Sequence, residues 1–158
     1  MYVVRDVFRL AQMQGLPFAP PRPDPIVQDM ATRQIAAEQP YIGRLTRLGV
    51  AACEAGDGLA FADAVARRVW GGTENWHEGS HLADAAAEAG LDWAVLDAAE
   101  REDAIRLDAV IAENEAAQAA SGHWGVPLMV FDGEPFFGQD RLDVLVWRME
   151  QNGLARRA

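Results

Sequence analysis

Apolar residues recur every three to four positions through most of this chain, and change to short apolar runs only after Gly122. Val4, Val7, Phe8 and Ala11 share one face of a helix predicted over Val3 to Gln14, which Gly15 ends. Pro40 can open a helix to about Ala55 that turns Ile42, Leu45, Leu48 and Cys53 toward a core. "GDG" at 56 to 58 breaks it. Leu59 to Trp70 forms the next helix, with Phe61, Ala62, Val65 and Val69 on one side. "GGTENWHEGS" reads as a loop. Ser80 caps a short helix to Ala89 that Gly90 closes, Asp92 opens another, and a long helix runs from about Asp103 to Ala120. Between the first two helices lies "GLPFAPPRPDPIVQD", with five prolines between residues 17 and 25. Proline locks φ and removes a donor, so this is an extended, semi-rigid connection that packs over the core or lines a groove.

The final stretch alternates differently. Leu128 to Phe131 is a strand, Asp132-Gly133 is a strong hairpin turn, and Glu134 to Phe137 is the return strand. Pro135 cannot donate to a ladder, so its strand lies at an edge or its ring nitrogen faces outward. Gly138 ends the strand, and Asp140 can cap a last helix, Arg141 to Gln151, with the stripe Leu142, Leu145, Val146 and Met149. The expected fold class is α/β, mostly α. It is organised as a lead-in helix with a proline-rich connection over 1–29, an all-α region over 30–120, and a strand–turn–strand–helix unit over 121–158.

At 158 residues, half of them hydrophobic, the chain is sized for one domain, or one domain plus an insertion. A formal net charge of −10 disfavours phosphate backbones and anionic lipid, so neither nucleic acid nor membrane is expected as a partner. No apolar run reaches the ~20 residues of a bilayer span. Arg5, Asp6 and Arg9 break any signal-peptide pattern, and the cytoplasm is the expected compartment. The single cysteine, Cys53, excludes both an internal disulfide and a CxxC pair, and reads as a small core residue. His77 and His81 lie four apart, but Gly79 and Ser80 interrupt a helix between them and no third ligand is evident, so no metal site is expected. Asp84, Glu88, Asp97, Glu100 and Glu113 are expected on solvated faces. Trp70 and Trp93 read as core. Trp76, with His77 as polar partner, is the better candidate for exposed contact with an aromatic ligand.

The stretch "GHWGVPLMVFDGEPFFGQDRLDVLVWRM" closely resembles the 2-hydroxychromene-2-carboxylate isomerase family, related to kappa-class glutathione transferases and DsbA-like oxidoreductases. "GLPFAPPRPDP" resembles the proline-rich segment that leads into that family's inserted helical domain. The resemblance implies the C-terminal half of a DsbA-like thioredoxin fold over 121–158, with the all-α region as its insertion. It implies a cis Pro127 that leaves the main chain of Val126 open to an extended ligand. Glutathione is the implied cofactor: Val126 would bond its cysteinyl part, and Gln139 and Asp140 would hold its γ-glutamyl end through backbone N–H groups and a carboxylate. A helix start is suited to that task, because its first N–H groups lack partners and its dipole favours an anion.

In this family a serine or cysteine at the start of the first helix, within an opening strand–helix–strand, activates the thiol. Such a unit needs roughly 30 residues, and the region before the helical middle cannot supply one. The chain is therefore expected to be a shortened member. The catalytic nucleophile is unassigned, and catalysis by this chain alone stays open. A two-stranded sheet is marginal by itself, so replacement of the other strands is expected, by a second copy in a homodimer, by a partner, or by Met1 to Val4 as a local strand. The functional expectation is a glutathione-dependent isomerase-like protein acting on a small aromatic substrate. The alternatives are a non-enzymatic helical interaction module that associates through the hairpin, and a thiol-disulfide oxidoreductase of the same family.

Overall fold

The computed structural model describes residues 2–29, 31–32 and 34–155. Seven α-helices and one hairpin are seen among them: α1 (Tyr2–Gln14), α2 (Ile42–Glu54), α3 (Gly58–Trp70), α4 (His81–Glu88), α5 (Trp93–Glu102), α6 (Ala104–Ala120), β1 (Leu128–Phe131), β2 (Glu134–Phe137) and α7 (Leu142–Gln151). The chain forms two compact units, Met1–Asp108 and Ala109–Ala158, with the boundary inside α6. None of the described helices is long and apolar enough to cross a membrane.

The first unit carries the hydrophobic core. Leu48, Ala51 and Ala52 of α2 meet Phe61, Ala64, Val65 and Val69 of α3, with Leu82, Ala85 and Ala86 of α4 and Leu96 of α5. Alanine at so many contact points lets helix backbones approach closely while losing little side-chain entropy. Two expected core positions are corrected. Cys53 is exposed, because it lies about 100° of helix rotation beyond Ala52; its sulfur fills the space that a side chain at Gly58 would need. Ala62 is likewise one step past Phe61 and faces water, while Ala64 takes the buried place.

Trp76 and Trp70 reverse their expected roles. Trp76 is 1% exposed, with its indole N–H donating to the Pro23 carbonyl at 2.8 Å and its ring edge-on to Tyr41. It is the plug under the proline-rich segment, not a surface platform. His77 packs against the Tyr41 ring at 4.6 Å. Trp70 is 44% exposed, stacked on Phe18, and its carbonyl accepts from Ala19 N–H at 2.7 Å. Trp93 packs partly buried against the core, as expected. The proline-rich segment thus runs over α3 and the following loop, pinned at Ala19 and Pro23. Past it, Gln39 closes the chain on itself, accepting from Val27 N–H and donating to the Val27 and Ala36 carbonyls, each at 2.9 Å.

One expected surface carboxylate is buried. Glu100 is 8% exposed, and Arg47 and Arg44 of α2 reach it at 3.4 and 3.7 Å. Its charge tolerates burial because two guanidiniums meet it. Nearer the surface, Arg106 binds Glu54 at 2.6 Å, Arg68 binds Glu88 at 2.5 Å and Arg47 binds Asp108 at 2.7 Å. The hydrogen bond from arginine holds each of these three carboxyls below its ordinary range. A lowered folded-state value stabilises fully above the unfolded carboxylate range, near pH 4, and that stabilisation is lost as pH falls through the folded values. Thermal melts followed by circular dichroism are therefore expected to hold their midpoint from about pH 7 to about 5 and to drop below about pH 4. A midpoint that rises on acidification would contradict this reading.

In the second unit α7 packs on β1, and Arg148 of α7 binds Glu134 of β2 at 2.9 Å. No large side chain of this unit is buried among the described residues. Of the α7 stripe, Leu145 and Met149 are half-buried, while Leu142 and Val146 stay exposed. The suggested local strand at Met1 to Val4 is corrected: from Tyr2 onward that segment is helix, and Met1 lies outside the described residues.

Candidate functional site

The hairpin follows from its turn. Asp132 and Gly133 both adopt positive φ, 50° and 78°, the two-residue geometry whose twist matches paired strands. The register is then fixed: Phe131 faces Glu134, Val130 faces Pro135, Met129 faces Phe136 and Leu128 faces Phe137. In an antiparallel ladder hydrogen-bonded and non-bonded pairs alternate outward from the turn. Val130–Pro135 is a non-bonded pair, so the missing N–H of Pro135 points away from the ladder and costs nothing. Counting on, the next bonded pair beyond Met129–Phe136 is Pro127–Gly138, and Gly138 N–H donates to the Pro127 carbonyl at 3.0 Å.

That bond joins the two halves of the candidate site. Val126-Pro127 is cis, and Val126 is 77% exposed. Its N–H and C=O find no partner among the described residues. Directly across from Pro127, Gly138 leads into a short 3-10 turn, Gln139–Arg141, and then α7. The N–H groups of Gln139 and Asp140 open that turn and are likewise unpaired among the described residues, as the geometry of a helix start requires.

Asp140 does not cap the helix as the sequence suggested. The turn and α7 lack a side-chain cap bond, because the carboxylate folds back over Gly138. There Oδ1 would lie 2.6 Å from any Cβ, a contact the mobile carboxylate could relieve, whereas the φ of +99° at Gly138 is what favours glycine. The carboxylate is mostly exposed, with Arg141 loosely paired at 3.6 Å. It is available to accept hydrogen bonds from a ligand.

The open side of β1 completes the geometry. Val126, Leu128 and Val130 share one face by the two-residue strand period. With Ala117, Gln118 and Ser121 near the end of α6 they line an open groove of about 440 Å³. No third strand joins β1 among the described residues. An extended ligand or strand could therefore pair with this edge while its side chains enter the groove.

Two neighbours escaped the sequence reading. His123 stacks on Phe137 with ring centres 4.0 Å apart, and Trp124 lies nearly parallel to His123 at 5.9 Å. Gly125 is buried beneath the His123 and Phe137 rings, where a side chain would collide with Phe137. The alternation past Leu128–Phe137 could have flagged this stack, since it carries the chain before Pro127 back over Phe137. Trp76 and His77, the sequence candidates for aromatic contact, belong to the packed interior of the first unit.

Residues 1–150 match the family model described as a DSBA-like thioredoxin domain. No curated protein is matched. Among solved structures, that of a 2-hydroxychromene-2-carboxylate isomerase aligns with a TM-score of 0.64 at 22% identity, covering 96% of this chain and 66% of that chain. The likeness is one of fold, and this chain spans just under two thirds of that isomerase.

Proposed function

Given that the chain belongs to the DSBA-like thioredoxin-domain family, we propose that it is a glutathione-binding, isomerase-like protein whose ligand lies along the open edge at Val126. One observation carries this reading: the Gly138–Pro127 hydrogen bond. It sets an unpaired strand residue beside an unpaired helix start, the two features an extended peptide with an acidic, amino-bearing tip requires. The Val126 N–H and C=O would pair with the cysteinyl residue in antiparallel fashion. The Gln139 and Asp140 N–H groups would receive the γ-glutamyl carboxylate, and the Asp140 side chain its ammonium.

A thiolate held this way can add to the β-carbon of a conjugated carbonyl compound, sending the π pair to the carbonyl oxygen. Rotation about the new single bond and expulsion of the same thiolate restore the double bond in the other geometry, with no net change in protons or electrons. The protein's part is to orient the thiolate against its acceptor. The test is an amide-resolved titration with glutathione, with Val126, Gln139 and Asp140 as the reporters.

The same edge supports a second reading as an association surface. The outward N–H and C=O groups of Val126, Leu128 and Val130 are self-complementary about Leu128, where Val126 of one chain would face Val130 of its mate. The edge carries no charge to oppose such pairing. A doubled solution mass that glutathione does not reduce would favour this reading over the first.

A further inference from the structure

We propose that the outward face of the Trp124 indole seats the flat, conjugated, electron-poor compound that accepts the glutathione thiol. This inference rests on the glutathione reading above and names the residue that would recognise the second substrate.

The loop that bears Trp124 is held from several sides. The Gln118 side-chain amide donates to the carbonyls of Trp124 and Gly125 at 3.3 and 3.5 Å. Gly125 N–H donates to His123 Nδ1 at 2.9 Å, and Gly125 is clamped under the rings of His123 and Phe137. Such a loop could have turned its one large side chain inward. Instead the indole is 89% exposed, the same as Ile105 and more than any other aromatic among the described residues. Keeping an indole in water forfeits the burial of roughly 150–250 Å².

The orientation specifies the ligand. Trp124 lies within 11° of parallel to His123, which lies within 24° of parallel to Phe137. The indole thus continues the direction of the His123–Phe137 stack, displaced to its side, and nearly all of its surface meets solvent. An electron-rich ring held flat binds best to a flat, electron-poor partner in offset stacking. Trp124 stands two residues before Val126, where the cysteinyl residue of glutathione would pair. Acceptors of a thiolate are electron-poor by necessity, so the chemistry required of the second substrate and the chemistry of the exposed ring agree.

The experiment measures two affinities on the full chain: glutathione alone, and then 2-naphthoate, an unreactive planar conjugated acid, in the presence of saturating glutathione. Wild type, Trp124→Ala and Trp124→Phe are compared, with far-UV circular dichroism to verify that each is folded. Trp124→Ala is expected to weaken 2-naphthoate roughly tenfold, the scale of one aromatic stack, while glutathione changes less than about twofold. Trp124→Phe should recover most of the loss. If wild type binds glutathione but Trp124→Ala leaves 2-naphthoate unaffected, or wild type does not bind 2-naphthoate, the inference is overturned and the glutathione reading stands. If wild type does not bind glutathione, the underlying reading fails and takes this inference with it.

Discussion

Trp76→Ala should cost the first unit about 3–5 kcal/mol in urea unfolding, a large share of a typical domain's stability. The side chain is fully enclosed among Tyr41, Leu82 and the proline-rich segment, so its removal leaves a cavity that packed helices can only partly close. It also orphans the Pro23 carbonyl, which accepts the indole N–H at 2.8 Å. Trp76→Phe separates the two effects: most of the ring volume stays and the hydrogen bond goes, for an expected cost of about 1–3 kcal/mol. A Trp76→Ala protein within about 1 kcal/mol of wild type would mean that the proline-rich segment does not depend on this plug.

Asp140→Ala is expected to weaken glutathione by about 10- to 100-fold in calorimetry near pH 7, since a charge-assisted hydrogen bond to the ligand's ammonium is lost. The fold should be indifferent to the change, because the carboxylate caps nothing and among the described residues its one ionic partner is Arg141, at 3.6 Å. Asp140→Asn, which keeps an acceptor oxygen but no charge, should fall between the two. An unchanged affinity in Asp140→Ala would remove the γ-glutamyl end from this helix start.

The hairpin was the most legible element. An Asp-Gly pair between apolar runs fixes turn type, turn type fixes register, and register fixes which backbone groups face outward, all from local chemistry. Pro135 could be placed for the same reason. Helix bounds were legible to within two residues, the largest miss being the start expected at Pro40 and found at Ile42, and the errors at Cys53 and Ala62 are each a single 100° step at the margin of a stripe. Which margin is buried depends on the neighbouring helix, and a period alone does not carry that. Trp76 and Glu100 were misplaced on a larger scale. Their burial comes from Pro23, Arg44 and Arg47, more than fifty residues away in sequence, and no local pattern announces those meetings. At the candidate site, Val126, Gln139 and Asp140 came from resemblance. The stack of His123, Trp124 and Phe137 was missed because it exists only once the hairpin has folded.

If glutathione lies along the open edge at Val126, a 15N-labelled protein titrated with it reports the contact residue by residue. The largest amide shifts are expected at Val126, Gln139 and Asp140, with smaller ones along Leu128 to Val130. Shifts confined to the first unit, or an unperturbed spectrum at millimolar ligand, would contradict that placement.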